Sequence, residues 1–129
     1  MNDATPRRFR LERAARMRRA EDFRRTMHTG RAYARPAFVL HALAVPGGGR
    51  ALGIVCGRRV GNAVTRNRVK RRVREIFRAA PEYFRPGWWF VVATRPPIAT
   101  TTFAELAREM HLGLAALTAG GSDASPPRP

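Results

Sequence analysis

The 129-residue sequence carries 25 Lys and Arg against 9 Asp and Glu, a formal net charge of +16, and a single cysteine. That length fits one domain with a core of moderate size and excludes two, while the lone Cys56 excludes an intramolecular disulfide and a multi-cysteine zinc site. So large a positive excess surpasses what solubility requires and points to a polyanionic partner, with nucleic acid ahead of an anionic membrane.

Residues 1–19 hold seven arginines and few large apolar side chains, a pattern that predicts a mobile basic arm. No apolar segment follows that arm and no run of about 20 apolar residues occurs anywhere, so the chain reads as cytoplasmic, with no membrane partner. A short helix is expected from Ala20 to Thr29, with Phe23 and Met27 four apart and Gly30 as its stop. Pro36 to Val45 reads as a strand, Pro46 to Gly49 as a hairpin-like turn, and residues 50–57 as the returning strand. On the first of these strands Phe38, Leu40 and Ala42 share one face and Val39, His41 and Leu43 the other, both apolar enough to be covered.

The longest helix is predicted over residues 63–79, where Val69, Val73, Ile76, Phe77 and Ala80 fall within a stripe of roughly 100°. Its remaining arc holds Asn67, Arg68, Lys70, Arg71, Arg74 and Arg78. Trp88 to Thr94 reads as a strand buried on both faces, with both tryptophans in the core. A last helix begins near Thr102, where Thr102 and Glu105 have capping-box spacing and Phe103, Leu106, Met110, Leu114 and Leu117 form a seam. Residues 119–129 form a Gly, Ser and Pro tail, which leaves residues 20–118 as the domain.

From Arg58 to Arg74 there are eight basic residues and no acid. A merely solvated face would mix signs at four-residue spacing, and a membrane-surface helix would need a lipid-facing aromatic wedge instead of the valines this domain needs for its core. Phosphates explain the run better, because Arg and Lys contacts to them release counterions and offset the repulsion among like charges. The helix start near Gly61 and Asn62 adds free backbone N–H groups and a positive dipole end. Phe23 and His41 offer planar surfaces on which unpaired bases can stack. The three histidines are scattered, and no nucleophile motif or metal-ligand spacing appears, so chemistry intrinsic to the chain is not expected. A structural binder of ribosomal or nucleoid type, without a substrate of its own, is the rival reading.

Gly53 to Glu75, GIVCGRRVGNAVTRNRVKRRVRE, centred on Arg66-Asn67-Arg68, resembles the signature of the bacterial ribonuclease P protein subunit. Glu21-Asp22-Phe23, the strand over 36–45 and the aromatic strand followed by Arg95 fit the same pattern, so the likeness runs over about residues 15–118. The resemblance implies an α+β sandwich of order αβββαβα with a left-handed βαβ crossover, one central sheet packed by helices, and a further short strand near residues 31–34. It implies an endoribonuclease subunit in which a catalytic RNA removes the 5′ leader of precursor tRNA, using Mg2+ held mainly by RNA, with no further protein partner required. By position, Arg58, Arg59, Arg66, Asn67, Arg68, Lys70, Arg71, Arg72 and Arg74 would bind RNA. Phe23, Met27, His41, Asn67, Lys70 and Arg71 would hold the leader, with no residue of the chain assigned to catalysis or metal binding. Met27 and His41 depart from the aromatics usual there, which predicts weaker leader stacking.

Overall fold

A computed structural model describes residues 15–119 of the chain. Helix α1 spans Ala20–Thr29, followed by strands β1 (Arg31–Ala34), β2 (Phe38–Ala44) and β3 (Ala51–Val55). A 3-10 turn, Arg58–Val60, leads into α2 (Ala63–Arg78), and β4 (Trp88–Thr94) is joined by a second 3-10 turn, Pro96–Thr100, to α3 (Phe103–Thr118). The order is therefore αβββαβα, an α+β fold with one mixed sheet.

The sheet order is β1-β2-β4-β3, with β2 antiparallel to both its neighbours and β3 parallel to β4. The hairpin expected between the strands near 36–45 and 50–57 is thus corrected, because β4 inserts between them. Its run of six apolar or aromatic residues, closed by Thr94, suits an interior position with partners on both edges, and all seven residues of β2 pair with it. The glycine turn folds accordingly: Gly87 N–H donates to Gly49 O at 2.8 Å and Val45 N–H to Gly87 O at 2.8 Å, tying the loop to the segment that enters β4.

The two sheet faces are unequal. Phe38, Leu40 and Ala42 of β2, Phe90 and Val92 of β4 and Leu52 of β3 join the α2 seam (Val69, Val73, Ile76, Phe77) and the α3 seam (Leu106, Met110, Leu114, Leu117) in one buried core. Phe77 sits edge-on to Phe84 and Phe90, with ring centroids 5.5 and 5.4 Å away. Each large side chain sealed there contributes about 1.5–3 kcal/mol. Phe103, expected in the α3 seam, is exposed at the first turn of the helix, so that seam begins at Leu106.

On the opposite face, among the described residues, α1 is the one helix that covers the sheet. Val91 is fully buried beneath it, but Val39, His41 and Leu43 are half-buried, which corrects the expectation that β2 is covered on both sides. A ten-residue helix is about 15 Å long, against roughly 23 Å for a seven-residue strand, and cannot cover the whole face. Close approach of α1 to β3 depends on Gly53, where a Cβ would lie 2.5 Å from the Phe23 ring.

Of the basic arm expected over residues 1–19, residues 1–14 lie outside the described residues. Residues 15–17 run beside β3: Arg16 bridges Leu52 in parallel, Met17 N–H donates to Leu52 O at 2.9 Å, and Ala15 and Met17 are buried. They occupy hydrogen-bonding groups that an edge strand would otherwise leave open. The tail from residue 120 onward lies outside the described residues.

Candidate nucleic-acid interface

Helix α2 is fixed at its start by local chemistry. Asn62, in extended conformation at the N-cap, accepts a 2.9 Å hydrogen bond from Thr65 N–H through Oδ1, and Gly61 before it has φ +156°, with Thr65 packed too close for a Cβ. Arg66 Nε donates to Gly61 O at 3.0 Å, bracing the same corner. The N-terminal N–H groups expected to be open for an anion are therefore one fewer, since Asn62 satisfies that of Thr65.

With Val69, Val73, Ile76 and Phe77 buried, the charged residues on the polar arc of α2 are cationic except for Glu75. At about 100° per residue, Arg66, Lys70 and Arg74 line one flank of the seam, Arg68 and Arg72 the other, and Asn67 and Arg71 the crest between them. Asn67 and Arg71 are exposed and the others half-buried, while Arg58 and Arg59 are exposed on the preceding 3-10 turn. Arg58, Arg59, Arg68, Lys70, Arg71 and Arg72 make no ion pair among the described residues. Burial, and secondarily the charge of Arg16, pull the Arg74 pKa below its ordinary value. An arginine keeps its proton regardless, so the shift reflects mainly the partial burial of Arg74, with the Arg16 charge nearby as a smaller contribution.

Four arginines elsewhere are occupied. Arg31 donates to Leu117 O at 3.0 Å, tying β1 to the end of α3, and Arg35 pairs with Glu109 at 3.6 Å. Arg50 donates to Phe84 O at 3.2 Å and lies 4.7 Å from that ring's centroid, and Arg95 donates to Arg35 O at 3.3 Å. Those side chains close the fold, whereas Arg58, Arg59, Arg68, Lys70, Arg71 and Arg72 make no ion pair among the described residues that would occupy them.

Beside α1 a groove of about 460 Å³ is lined by Phe23 and Met27 of the helix, Val55 of β3, and Arg18, Ala20 and Arg24. Four-residue spacing puts Phe23 and Met27 on one side of α1, each half-buried, with the Phe23 ring seated on Gly53. His41 is on the same sheet face, opposite Ala32 and Val91, but on β2, two strand spacings or roughly 10 Å from β3. It does not line this groove. Its Nδ1 is buried without a hydrogen-bond partner among the described residues, and burial pushes its pKa below the usual histidine value.

The structure thus brings Phe23 and Met27 together, adds Val55 and Arg18, and leaves His41 to one side. Arg16 and Arg18 were absent from the residues chosen by motif, because their sequence context reads as arm. Only the pairing of residues 16 and 17 with β3 carries them to the site; Arg16 then stands near Arg74 and Arg18 at the groove. Among the described residues no cluster of His, Cys, Asp and Glu is disposed to hold a metal ion, and no helix is long and apolar enough to cross a membrane.

A small α+β domain with a strongly cationic helix, and an arginine-bordered groove that holds an aromatic ring, defines a nucleic-acid-binding protein. Comparison with known proteins narrows that class. The family model described as Ribonuclease P matches residues 11–118. A ribonuclease P protein component from Beutenbergia cavernae is 39% identical over 108 residues, which is 83% of this chain and 91% of the relative. The solved RNase P protein of Staphylococcus aureus superposes with a TM-score of 0.72 at 27% identity, covering 81% of this chain and 95% of that one. That of Thermotoga maritima gives 0.66 at 29% identity, over 75% and 92%. The chain belongs to the ribonuclease P protein family and is a protein subunit of that tRNA-processing, metal-dependent ribonuclease, with an RNA subunit as its partner.

Proposed function

We propose that the two cationic regions divide the work. Helix α2, through Arg66, Arg68, Arg71, Arg72 and Arg74 and with Arg58 and Arg59 on the turn before it, lies against the RNA subunit. The α1 groove receives the single-stranded 5′ leader of precursor tRNA, with Phe23 and Met27 as stacking surfaces and Asn67, Lys70 and Arg71 where leader and catalytic RNA meet, while His41 stands outside the groove on the same sheet face. One observation carries this reading: the pairing of Met17 with β3 brings Arg18 to a groove floored by the Phe23 ring, in the same domain as the cationic arc of α2.

Each phosphate neutralised changes the salt dependence of binding by about 0.7–0.9 in log–log slope, and each stacked base gains about 1–3 kcal/mol. Phosphate contacts orient the RNA without reading its sequence. In this reading Mg2+ sits on RNA, and the protein's positive field lowers the phosphate repulsion that otherwise opposes crowding the leader and the catalytic RNA together. The working place of such a subunit is the cytoplasm, beside nascent tRNA.

Reconstitution with the cognate RNA tests this. Cleavage of precursor tRNA at low magnesium should depend on the chain, and Phe23→Ala should weaken binding of precursors carrying a leader by about 1–3 kcal/mol while sparing mature tRNA. Equal losses for both substrates would remove the groove from the account.

A further inference from the structure

A second cavity, of about 490 Å³, lies between the segment beside β3 and the start of α1, and the assigned roles make no use of it. Arg16, Arg18, Arg19 and Arg50 line it together with Trp89, and one acid, Asp22, faces the four arginines. Its framework is already braced without a ligand. Trp89 Nε1 donates to Gly48 O at 3.2 Å, Arg25 lies 5.4 Å from the indole centroid, and Arg50 is held against Phe84. Arg19 is exposed and makes no side-chain cap, and Arg16 Nε is buried with no hydrogen-bond partner among the described residues. A four-to-one excess of guanidinium over carboxylate in a concave site suits closely spaced phosphates, which arginine forks can grip in pairs.

Arg18 lines both this cavity and the Phe23–Met27 groove. Along β3 the groove lies at Val55 and the cavity at Ala51, about 13 Å apart at strand rise, in the direction away from the start of α2. We infer that the arginine cavity is a second phosphate site, which takes up the backbone of single-stranded RNA continuing beyond the nucleotides held in the groove. This rests on the proposed leader groove, and the experiment separates the two. Trp89 serves as wall and brace of the site, its indole being already engaged by Arg25 and Gly48.

The full chain is titrated with labelled single-stranded RNA lengthened one nucleotide at a time, as wild type, Arg16→Gln/Arg19→Gln, Arg19→Glu and Phe23→Ala. Wild-type affinity should rise in two separate stages with length. The double variant should keep the first stage, lose the second, and show a salt slope for long RNA lower by about 0.7 per contact removed. Arg19→Glu, at an exposed position, gives the same loss if Arg16→Gln disturbs the fold, and Phe23→Ala should reduce the first stage selectively. Inorganic pyrophosphate should compete with the second stage alone. Two stages unchanged in both arginine variants would overturn the inference while leaving the groove intact, and so would pyrophosphate binding without any second stage on RNA, which would assign the cavity to free diphosphates. Absence of both stages in the wild type would instead defeat the groove itself.

Discussion

The two faces of the sheet are built from neighbouring residues of the same strands and end up with opposite characters. On one, Phe38, Leu40, Phe90 and Val92 vanish under two sixteen-residue helices. On the other, Val39, His41, Leu43 and Trp89 remain half-exposed beside a helix of ten. Stability is concentrated where closure is complete, and recognition where closure stops short. Unfinished burial leaves apolar and planar surface near arginines, which is what an unpaired strand of RNA needs from its host.

Substitutions should separate the faces. On the sealed side, Phe77→Ala should cost about 3–5 kcal/mol in denaturant unfolding, since the ring is fully buried between Phe84 and Phe90. Retention of full stability would mean that the core does not depend on this packing. On the cationic surface, Arg68→Ala with Arg74→Ala should flatten the salt slope of RNA binding by about 0.7–0.9 per lost phosphate contact with little change in unfolding free energy; a parallel loss of stability would show that these arginines also hold the fold. Asn62→Ala should cost about 1 kcal/mol by freeing Thr65 N–H, with fraying confined to the first turn of α2 in hydrogen exchange.

The smallest effect is electrostatic. His41 has a folded pKa below 6.5, so the unfolded chain binds its proton more readily. Its contribution to stability is therefore fully present above pH 6.5 and is lost as pH falls through the lower folded value. His41→Phe should remove that acid-side slope from the stability profile; an identical slope in the variant would place its origin elsewhere.

Helix α2 was legible in detail, because its determinants are local: Asn62 caps, Val69 to Phe77 repeat at helical period, and no acid falls among the basic residues from Arg58 to Arg74. Strand existence was legible for the same reason, and the short strand Arg31–Ala34 falls where the family likeness puts it. Strand partnership was not. Proximity in sequence favours pairing β2 with β3, and only competition for the central place, won by the apolar run of β4, decides otherwise. Phe103 fits the α3 period but lies at the first turn, beyond the reach of the sheet. Arg16 and Arg18 were hidden differently: their role follows from a backbone bridge to Leu52 that no residue pattern announces.

Because α2 is strung between parallel strands whose partners are separated by the helix itself, its address on the molecule does not exist until the chain has been made through Thr94. A nascent chain that has emerged only through Arg78 carries all eight positive charges of residues 58–74 but no surface against which to aim them. The charge of residues 58–74 is thus set by sequence alone, whereas its place on the molecule waits for the pairing of β3 with β4 and the closing of the core by α3.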